Sequence, residues 1–338
     1  MPALYVAVSL LPVVLFLVVL MLLDSYKLVR PKSVILALGV GALAAIAAYY
    51  ANTWMLAATG MSSETLSRYA APFVEEALKA GFVTYVLMSN RVGFTVDAAI
   101  TGFAVGAGFA VFENVFYLMS HDLGLRAWLI RGLGTAMMHG ATMTVYAIIA
   151  KSLRERSGEA AFTPYLFAFA LAYLLHSGYN HFFLPAEIGA IVQITVFPLI
   201  VTALFQDSEK RTRSWLGTGF DTDQELLKLI ISGGIPGTRI GDYLSALKEH
   251  FAGTVVVDML CLIRIRVELS VRAKGILMMR EAGFAVQPDP STRAKFSEMK
   301  YLEESIGKTG LIAIDPIHKW TSRDLWQLNM LDVSARGE

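Results

Sequence analysis

The sequence has little charge for its length and almost no cysteine. Asp, Glu, Lys and Arg together make up 17% of the 338 residues, and the formal net charge is only +1. That balance gives no sign of the basic surface that nucleic acid requires. The single cysteine, Cys261, excludes a disulfide within the chain. The HExxH signature of many zinc proteases is also absent.

What the sequence has instead is long apolar runs. Apolar residues make up 55% of the chain, and the mean hydropathy is +0.53. A soluble protein of this composition would expose too much apolar surface, so we expect an integral membrane protein. About 20 mostly apolar residues cross a bilayer core, and seven segments meet that requirement: 4–23, 34–54, 70–89, 95–119, 127–150, 163–183 and 187–206. The first lacks a preceding basic stretch and a following Ala-x-Ala site, so we expect a span and not a cleaved signal peptide.

The composition changes abruptly after Phe205, where QDSEKRTRSW begins a charged region without another apolar run of spanning length. We therefore predict a transmembrane domain at 1–206 and a second domain at 207–338. The second domain has mostly helix-compatible apolar spacing, but CLIRIRVELS (261–270) also alternates with period two, so a strand remains open there. The predicted fold class is all-α: a polytopic membrane helix bundle of about seven transmembrane helices and a mostly helical soluble C-terminal domain.

Lysine and arginine in the loops predict the orientation in the membrane. Ten of these residues lie at the loops of one side and three at the other. Because positively charged loops stay in the cytoplasm, we expect the N-terminus outside and region 207–338 inside. The charges of that region balance, which predicts no nucleic-acid partner and leaves a cytoplasmic protein partner open.

Ionisable and amide side chains interrupt the apolar segments, although an ion at mid-membrane costs about 2.5–3.5 kcal/mol. Such residues are expected to face the bundle interior, to pair with one another and to mark a functional site. Glu75 and Lys79 share one helix face, and so do His176 and Asn180. The full set comprises Glu75, Glu76, Lys79, Asp97, Glu113, Asn114, Arg131, His139, His176, Asn180 and His181.

The orientation also predicts that most of the carboxylates and one histidine lie at a single depth. With a rise of about 1.5 Å per residue, Glu75 and Glu76 lie about 8–9 Å below the outer edge of their span. Glu113 and His176 lie about 9–10 Å below the outer ends of theirs, and His139 lies deeper, at about 18 Å. The sequence therefore predicts a polar site in the outer half of the bilayer.

Four motifs follow one another in successive spans: PFVEEALK (72–79), GFAVFEN (108–114), RGLGTAMMH (131–139) and HSGYN (176–180). Together they resemble the EExxK, FxxxEN and HxxxN motifs of the PrsW family of intramembrane proteases, distant relatives of the CAAX prenyl endopeptidases and the bacteriocin-immunity membrane proteins. The resemblance covers roughly residues 65–185. It implies a membrane-embedded endopeptidase that cuts a membrane-anchored anti-sigma factor on its extracytoplasmic side. The CAAX relatives carry a histidine where this chain has Glu113, which argues against a prenylated substrate.

Peptide hydrolysis needs an activated water, an oxyanion stabiliser and an acid for the leaving amine. No serine or cysteine of the sequence belongs to a convincing triad, so a carboxylate base with imidazole partners is the remaining route. We predict Glu76 or its neighbour Glu75 as the base, with His139 and His176 orienting the water.

Glu113 completes the predicted catalytic set of Glu75, Glu76, Glu113, His139 and His176. The supporting residues are Lys79, Asn114, Arg131 and Asn180, with Asn180 as a donor to the oxyanion. The sequence favours no cofactor, although zinc is compatible with it. A metal ion would be held by Glu113, His139 and His176, because two imidazoles and a carboxylate are ordinary zinc ligands.

Two other functions remain open from the residues alone. Buried carboxylates, a lysine and histidines also form proton or cation relays in transporters, although the sequence has no clear inverted repeat. A receptor or scaffold is the third possibility, but a pure anchor does not need polar residues in its spans. The protease interpretation predicts a membrane-anchored protein substrate and the lipid bilayer as partners.

Overall fold

The computed structural model describes residues 3–157, 161–284, 286, 289–317 and 320–336. The chain divides into two compact units, Met1–Glu209 and Lys210–Glu338. In chain order the helices of the first unit are α1 (Ala3–Leu23), α2 (Pro31–Thr59), α3 (Ser63–Thr65), α4 (Ala71–Met88), α5 (Thr95–Ser120), α6 (Leu125–Ile130), α7 (Ala136–Ser157) and α8 (Thr163–Asn180). Helix α9 (Ala186–Ile231) contains the boundary between the units.

Two π-helical turns interrupt the helices of the first unit. The first π-turn, Leu66–Ala70, leads into α4, and the second π-turn, Arg131–Thr135, joins α6 to α7. Single π-helical turns often occur at functional sites, because the extra residue turns side chains and carbonyls out of the regular helical pattern. Both turns contribute residues to the site described below.

Five helical segments of the described residues are long and apolar enough to cross a membrane: α1, α2, α5, the continuous segment Leu125–Arg156, and α9. The other two of the seven predicted spans are helices of 18 residues each, α4 and α8. These two helices carry Glu75, Glu76, Lys79 and His176, and those polar side chains lower their hydropathy. The count of seven spans therefore stays a prediction.

Helix α5 lies at the centre of the first unit and packs most extensively against α7 and α2. Its small residues allow the backbones to approach closely. A Cβ added to Gly106 would lie 2.1 Å from the carbonyl oxygen of His139 in α7, and one added to Gly108 would lie 2.0 Å from that of Leu38 in α2. Such contacts are typical of small-residue interfaces between membrane helices. They place Glu113, about two turns beyond Gly106 along α5, beside α7.

The second unit is also helical, with α10 (Arg239–Leu247), α11 (Gly253–Glu281), α12 (Ser291–Ile314) and α13 (Ser322–Ala335). CLIRIRVELS lies inside α11, so the strand left open by the sequence does not form. The core side chains Leu262, Ile265 and Leu269 are fully buried along this helix, which supplies the apolar face that helix packing requires. The solubility of this unit stays a prediction.

We predict that Gly106→Ala destabilises the first unit, whereas Gly39→Ala, in α2, does not. The added methyl group at residue 106 would clash with the backbone of α7, while nothing lies within 4 Å of a Cβ on Gly39. Overpacking costs about 1–3 kcal/mol, which exceeds the gain of about 0.5–1 kcal/mol from replacing a helical glycine by alanine. The free energy of unfolding in detergent, measured for both variants, tests this prediction. Equal values for the two variants would contradict the close approach of α5 to α7.

Candidate functional site

Four helices of the first unit bring the polar motif residues to one place. Helix α4 supplies Glu75, Glu76 and Lys79, while Glu113 comes from α5, and α7 and α8 supply one histidine each. Glu76, Lys79, His139 and His176 are all buried. The cost of placing charge there is reduced because each charged group has a polar partner.

The most buried part of the site is an ion pair within α4. Lys79 Nζ donates to Glu76 Oε1 at 2.5 Å, and His176 Nδ1 lies 2.7 Å from the same oxygen. Because a carboxylate oxygen only accepts hydrogen bonds, Nδ1 is a protonated nitrogen of His176, and in the neutral imidazole Nε2 is then the unprotonated one. Thr142 Oγ1 also donates to Glu76 Oε1, at 3.4 Å. Glu76 Oε2 is buried and has no hydrogen-bond partner among the described residues.

His139 lies between Lys79 and Glu113. Its Nδ1 is 3.1 Å from Lys79 Nζ, and its Nε2 is 3.2 Å from Glu113 Oε2. An ammonium group can only donate, so Nδ1 accepts from Lys79, and Nε2 carries the proton that is donated to Glu113. The two histidines therefore have opposite tautomers, and their rings meet edge to face with centroids 4.9 Å apart.

Glu75, although adjacent to Glu76, has a different environment. Asn52 Nδ2 donates to its Oε1 at 3.3 Å, and His176 Nε2 lies 3.9 Å from its Oε2. No lysine or arginine of the described residues forms an ion pair with it. Among the described residues Glu75 therefore has no direct ion pair with a lysine or arginine, while Glu76 pairs with Lys79.

A cavity of about 500 Å³ opens beside these residues. The ionisable groups that line it include Glu75, Glu113, His139 and His176, but Glu76 and Lys79 are not among the described lining residues. The aromatic side chains of the wall are Tyr49, Phe109, Phe112, Phe116, Tyr117, Tyr179 and Phe182. A polar cluster within a mostly apolar cavity is the usual arrangement of a binding site for a small molecule or a peptide segment.

Arg131 forms an ion pair with Glu113 on its other side and is itself bonded to Asn114. Arg131 Nη2 lies 3.2 Å from Glu113 Oε2, and Arg131 Nε donates to Asn114 Oδ1 at 2.9 Å. The guanidinium group also lies 3.7 Å from the ring centroid of Tyr117. Glu113 Oε2 thus faces both Arg131 and His139, while the side chain keeps 25% of its surface exposed in the cavity.

Two residues of the HSGYN motif contact the first π-turn. Asn180 Nδ2 donates to the carbonyl oxygen of Ser67 at 2.9 Å, and Ser177 Oγ donates to that of Arg68 at 2.6 Å. Asn180 also lines the cavity. This contact uses one of the two N–H groups of the Asn180 amide and leaves the other for a ligand.

Sequence reasoning missed three polar residues of the site: Asn52, Thr142 and Ser177. Asn52 interrupts the predicted span 34–54, so the rule that singled out the other polar span residues also applies to it. Thr142 and Ser177 give no such signal, since hydroxyl side chains are common in membrane helices and usually bond to their own backbone.

The donor set of the site fits a divalent cation. Glu75, His139 and His176 each offer a ligand atom, and these atoms lie within 4.8 Å of one another. Two histidines and a glutamate form the protein ligands of one class of catalytic zinc site. The contact of Glu76 with His176 Nδ1 is the outer contact that such ligands usually have. Binding through Nε2 of His139 would require its proton to move to Nδ1, which could then no longer accept a hydrogen bond from Lys79.

Comparison with known proteins identifies the region that carries the site. A family described as PrsW family intramembrane metalloprotease matches residues 30–205, slightly more than half of the chain. All the motif residues lie within this range, and α1 lies outside it. The match favours a protease over a carrier or a scaffold and makes a metal ion plausible. No curated protein and no solved structure matches the chain.

We predict that Lys79→Met is strongly destabilising because it leaves Glu76 buried without a cationic partner. Removing one member of a buried ion pair costs about 3–5 kcal/mol. The double variant Lys79→Met/Glu76→Gln should be more stable than Lys79→Met alone, since the uncompensated charge is gone. Lys300→Met is the matched control, because that lysine is exposed, and it should change stability by less than about 0.5 kcal/mol. The free energy of unfolding in detergent is measured for all three variants. A double variant that is no more stable than Lys79→Met would contradict the buried ion pair of Lys79 and Glu76.

Proposed function

We propose that this chain, which belongs to the PrsW family of intramembrane metalloproteases and is therefore a membrane-embedded peptide hydrolase, cleaves a membrane-anchored protein in the cavity beside Glu75 and Glu113. The observation that carries the proposal is the lining of that cavity. Two carboxylates and two histidines face the same apolar space, which supplies a proton acceptor and orienting groups in a place where little bulk water enters.

In this proposal Glu113 takes the proton from the attacking water. Its Oε2 is held by Arg131 and His139, and no hydrogen bond of the described residues uses its Oε1. One carboxylate oxygen is thus fixed and the other is directed to the water, which is the geometry that a general base needs. Glu76, the first choice from the sequence, is less suited because its Oε1 is occupied and it does not line the cavity.

Glu75, His139 and His176 are the residues that would hold a divalent cation, instead of the set with Glu113 predicted from the sequence. A bound cation supplies Lewis acidity, which polarises the peptide carbonyl and makes a nearby water more acidic. Glu76 would keep His176 in place through the contact at Nδ1, and Lys79 would keep Glu76 in place through their ion pair. The second N–H of Asn180 donates to the oxyanion.

The substrate class we propose is a single-span, anti-sigma-like protein that is cut near the extracytoplasmic side of a bacterial membrane. The loop charges support this orientation, since they predict the site in the outer half of the bilayer. The same charges predict seven spans, including α4 and α8, and a cytoplasmic location for region 207–338. The chain is an integral membrane protein by its family and its apolar helices.

We predict that Glu113→Gln and Glu75→Gln both abolish cleavage but differ in cation binding. The protein would be purified, reconstituted with a panel of single-span substrates, and assayed with and without a chelator. Loss of a general base lowers kcat by about 10²–10⁴-fold, and Glu113→Gln should still bind zinc. Glu75→Gln should lose zinc binding, measured by titration of the chelator-treated protein.

Chelation should abolish wild-type cleavage, and zinc should restore it. Glu249→Gln is the matched control, because that residue lies exposed in the second unit, and it should cleave as the wild type does. Cleavage that survives both chelation and Glu75→Gln would overturn the cation assignment. Cleavage by Glu113→Gln at the wild-type rate would overturn the assignment of the base.

A further inference from the structure

Helix α1 lies outside residues 30–205, the range that matches the family, but it contacts residues that support the catalytic cavity. Pro12 stands within α1 and has no backbone N–H, so the carbonyl of Val8, four residues earlier, lacks its helical donor. That carbonyl faces the second π-turn: a Cβ added to Gly132 would lie 1.9 Å from Val8 O. In a bilayer an unpaired carbonyl must be covered by protein, and Gly132 allows the backbone to cover it.

The residue after Val8 forms the next contact. The carbonyl oxygen of the buried Ser9 accepts a hydrogen bond from Asn114 Nδ2 at 2.8 Å. The other end of the same amide, Oδ1, accepts from Arg131 Nε. Because both ends of the amide are occupied, α1 determines the orientation of Asn114, and Asn114 in turn determines the position of Arg131.

Arg131 connects Asn114 to Glu113, which lines the cavity. It donates through Nε to Asn114, and its Nη2 lies beside Glu113 Oε2 while its plane rests on Tyr117. The Nε contact is a hydrogen bond, and the Nη2 contact is an ion pair without hydrogen-bond geometry. A planar guanidinium offers two nitrogens for these two contacts, whereas a lysine ammonium offers one. Glu113 Oε2 is shared with His139 Nε2, so a shift of the guanidinium moves the carboxylate and the imidazole together.

We propose that α1 is part of the catalytic unit, and that Ser9, Asn114 and Arg131 form a positioning relay that fixes Glu113 and His139 in the cavity. The proposal rests on the proposed function for the role of Glu113. Ser9 and Asn114 are not among the described lining residues of the cavity, whereas Arg131 lines it beside Glu113. The contact of α1 with the second π-turn keeps the three residues in place.

The test uses Gly132→Ala, which displaces α1 without removing a polar group. Its matched control is Gly81→Ala in α4, where nothing lies within 4 Å of the added Cβ. For Gly132→Ala we expect kcat to fall on the order of 10- to 100-fold, because small misplacements of catalytic groups have that effect, with KM nearly unchanged. Gly81→Ala should match the wild type in both constants. Arg131→Lys should be as impaired as Arg131→Ala.

A double variant tests whether the relay acts as one unit. Asn114→Leu/Arg131→Ala should be no slower than Arg131→Ala alone, since residues of one network have non-additive effects. Fully additive losses would overturn the relay, and so would a wild-type kcat for Gly132→Ala.

A readout that does not need hydrolysis separates this inference from the proposed function. The rate at which diethylpyrocarbonate modifies His139, followed by mass spectrometry, should rise several-fold in Gly132→Ala and in Arg131→Ala, because an imidazole released from Glu113 can change tautomer and present an unprotonated Nε2 to the cavity. The exposed His250 of the second unit is the internal reference. An unchanged rate at His139 in Gly132→Ala overturns the relay even if no substrate is cleaved. Absence of cleavage by the wild type overturns the proposed function alone.

Discussion

The polar site of the first unit depends on the buried ammonium group of Lys79. Its ammonium group donates to Glu76 and to His139, and it lies 4.6 Å from the ring centroid of Phe109. These contacts join three helices at a depth where none of the charges could stay ionised alone. This ion pair also sets the hydrogen-bonding roles of the two histidines. Lys79 requires an acceptor at His139 Nδ1, and Glu76 requires a donor at His176 Nδ1. Polar groups that are costly in a membrane thereby fix the arrangement of the helices.

The backbone makes this arrangement possible through close helix contacts. Gly106 brings α5 against the carbonyl of His139, and Gly132 brings the second π-turn against α1. Side chains as short as glutamate and asparagine meet across helices only when the backbones come this near. The π-turn adds a further element, since it directs Arg131 towards Asn114 and Glu113. The polar side chains can therefore pair across helices because small residues let the helices pack closely.

Much of the site could be predicted from the sequence. The cost of charge in a bilayer is large and independent of the fold, so any carboxylate, lysine or histidine in an apolar run indicates a shared polar interior. Glu75, Glu76, Glu113, His139 and His176 were found in this way, and the structure brings them together. Asn52 was not predicted, although the same rule applies to it. The hydroxyls of Thr142 and Ser177 could not be found, because their transfer cost is too small to mark them.

The sequence by itself determined the membrane class, the helical architecture and the ionisable residues that come together in the polar cluster, because hydropathy and the cost of buried charge act on each segment locally. Only the tertiary structure decided the difference between Glu75 and Glu76. Neighbouring residues of a helix point about 100° apart, so one faces the cavity and the other faces Lys79 and His176. The position of α1 also depends on contacts between segments that are distant in the sequence. Nothing in the apolar run around Ser9 predicts a hydrogen bond to Asn114, 105 residues later.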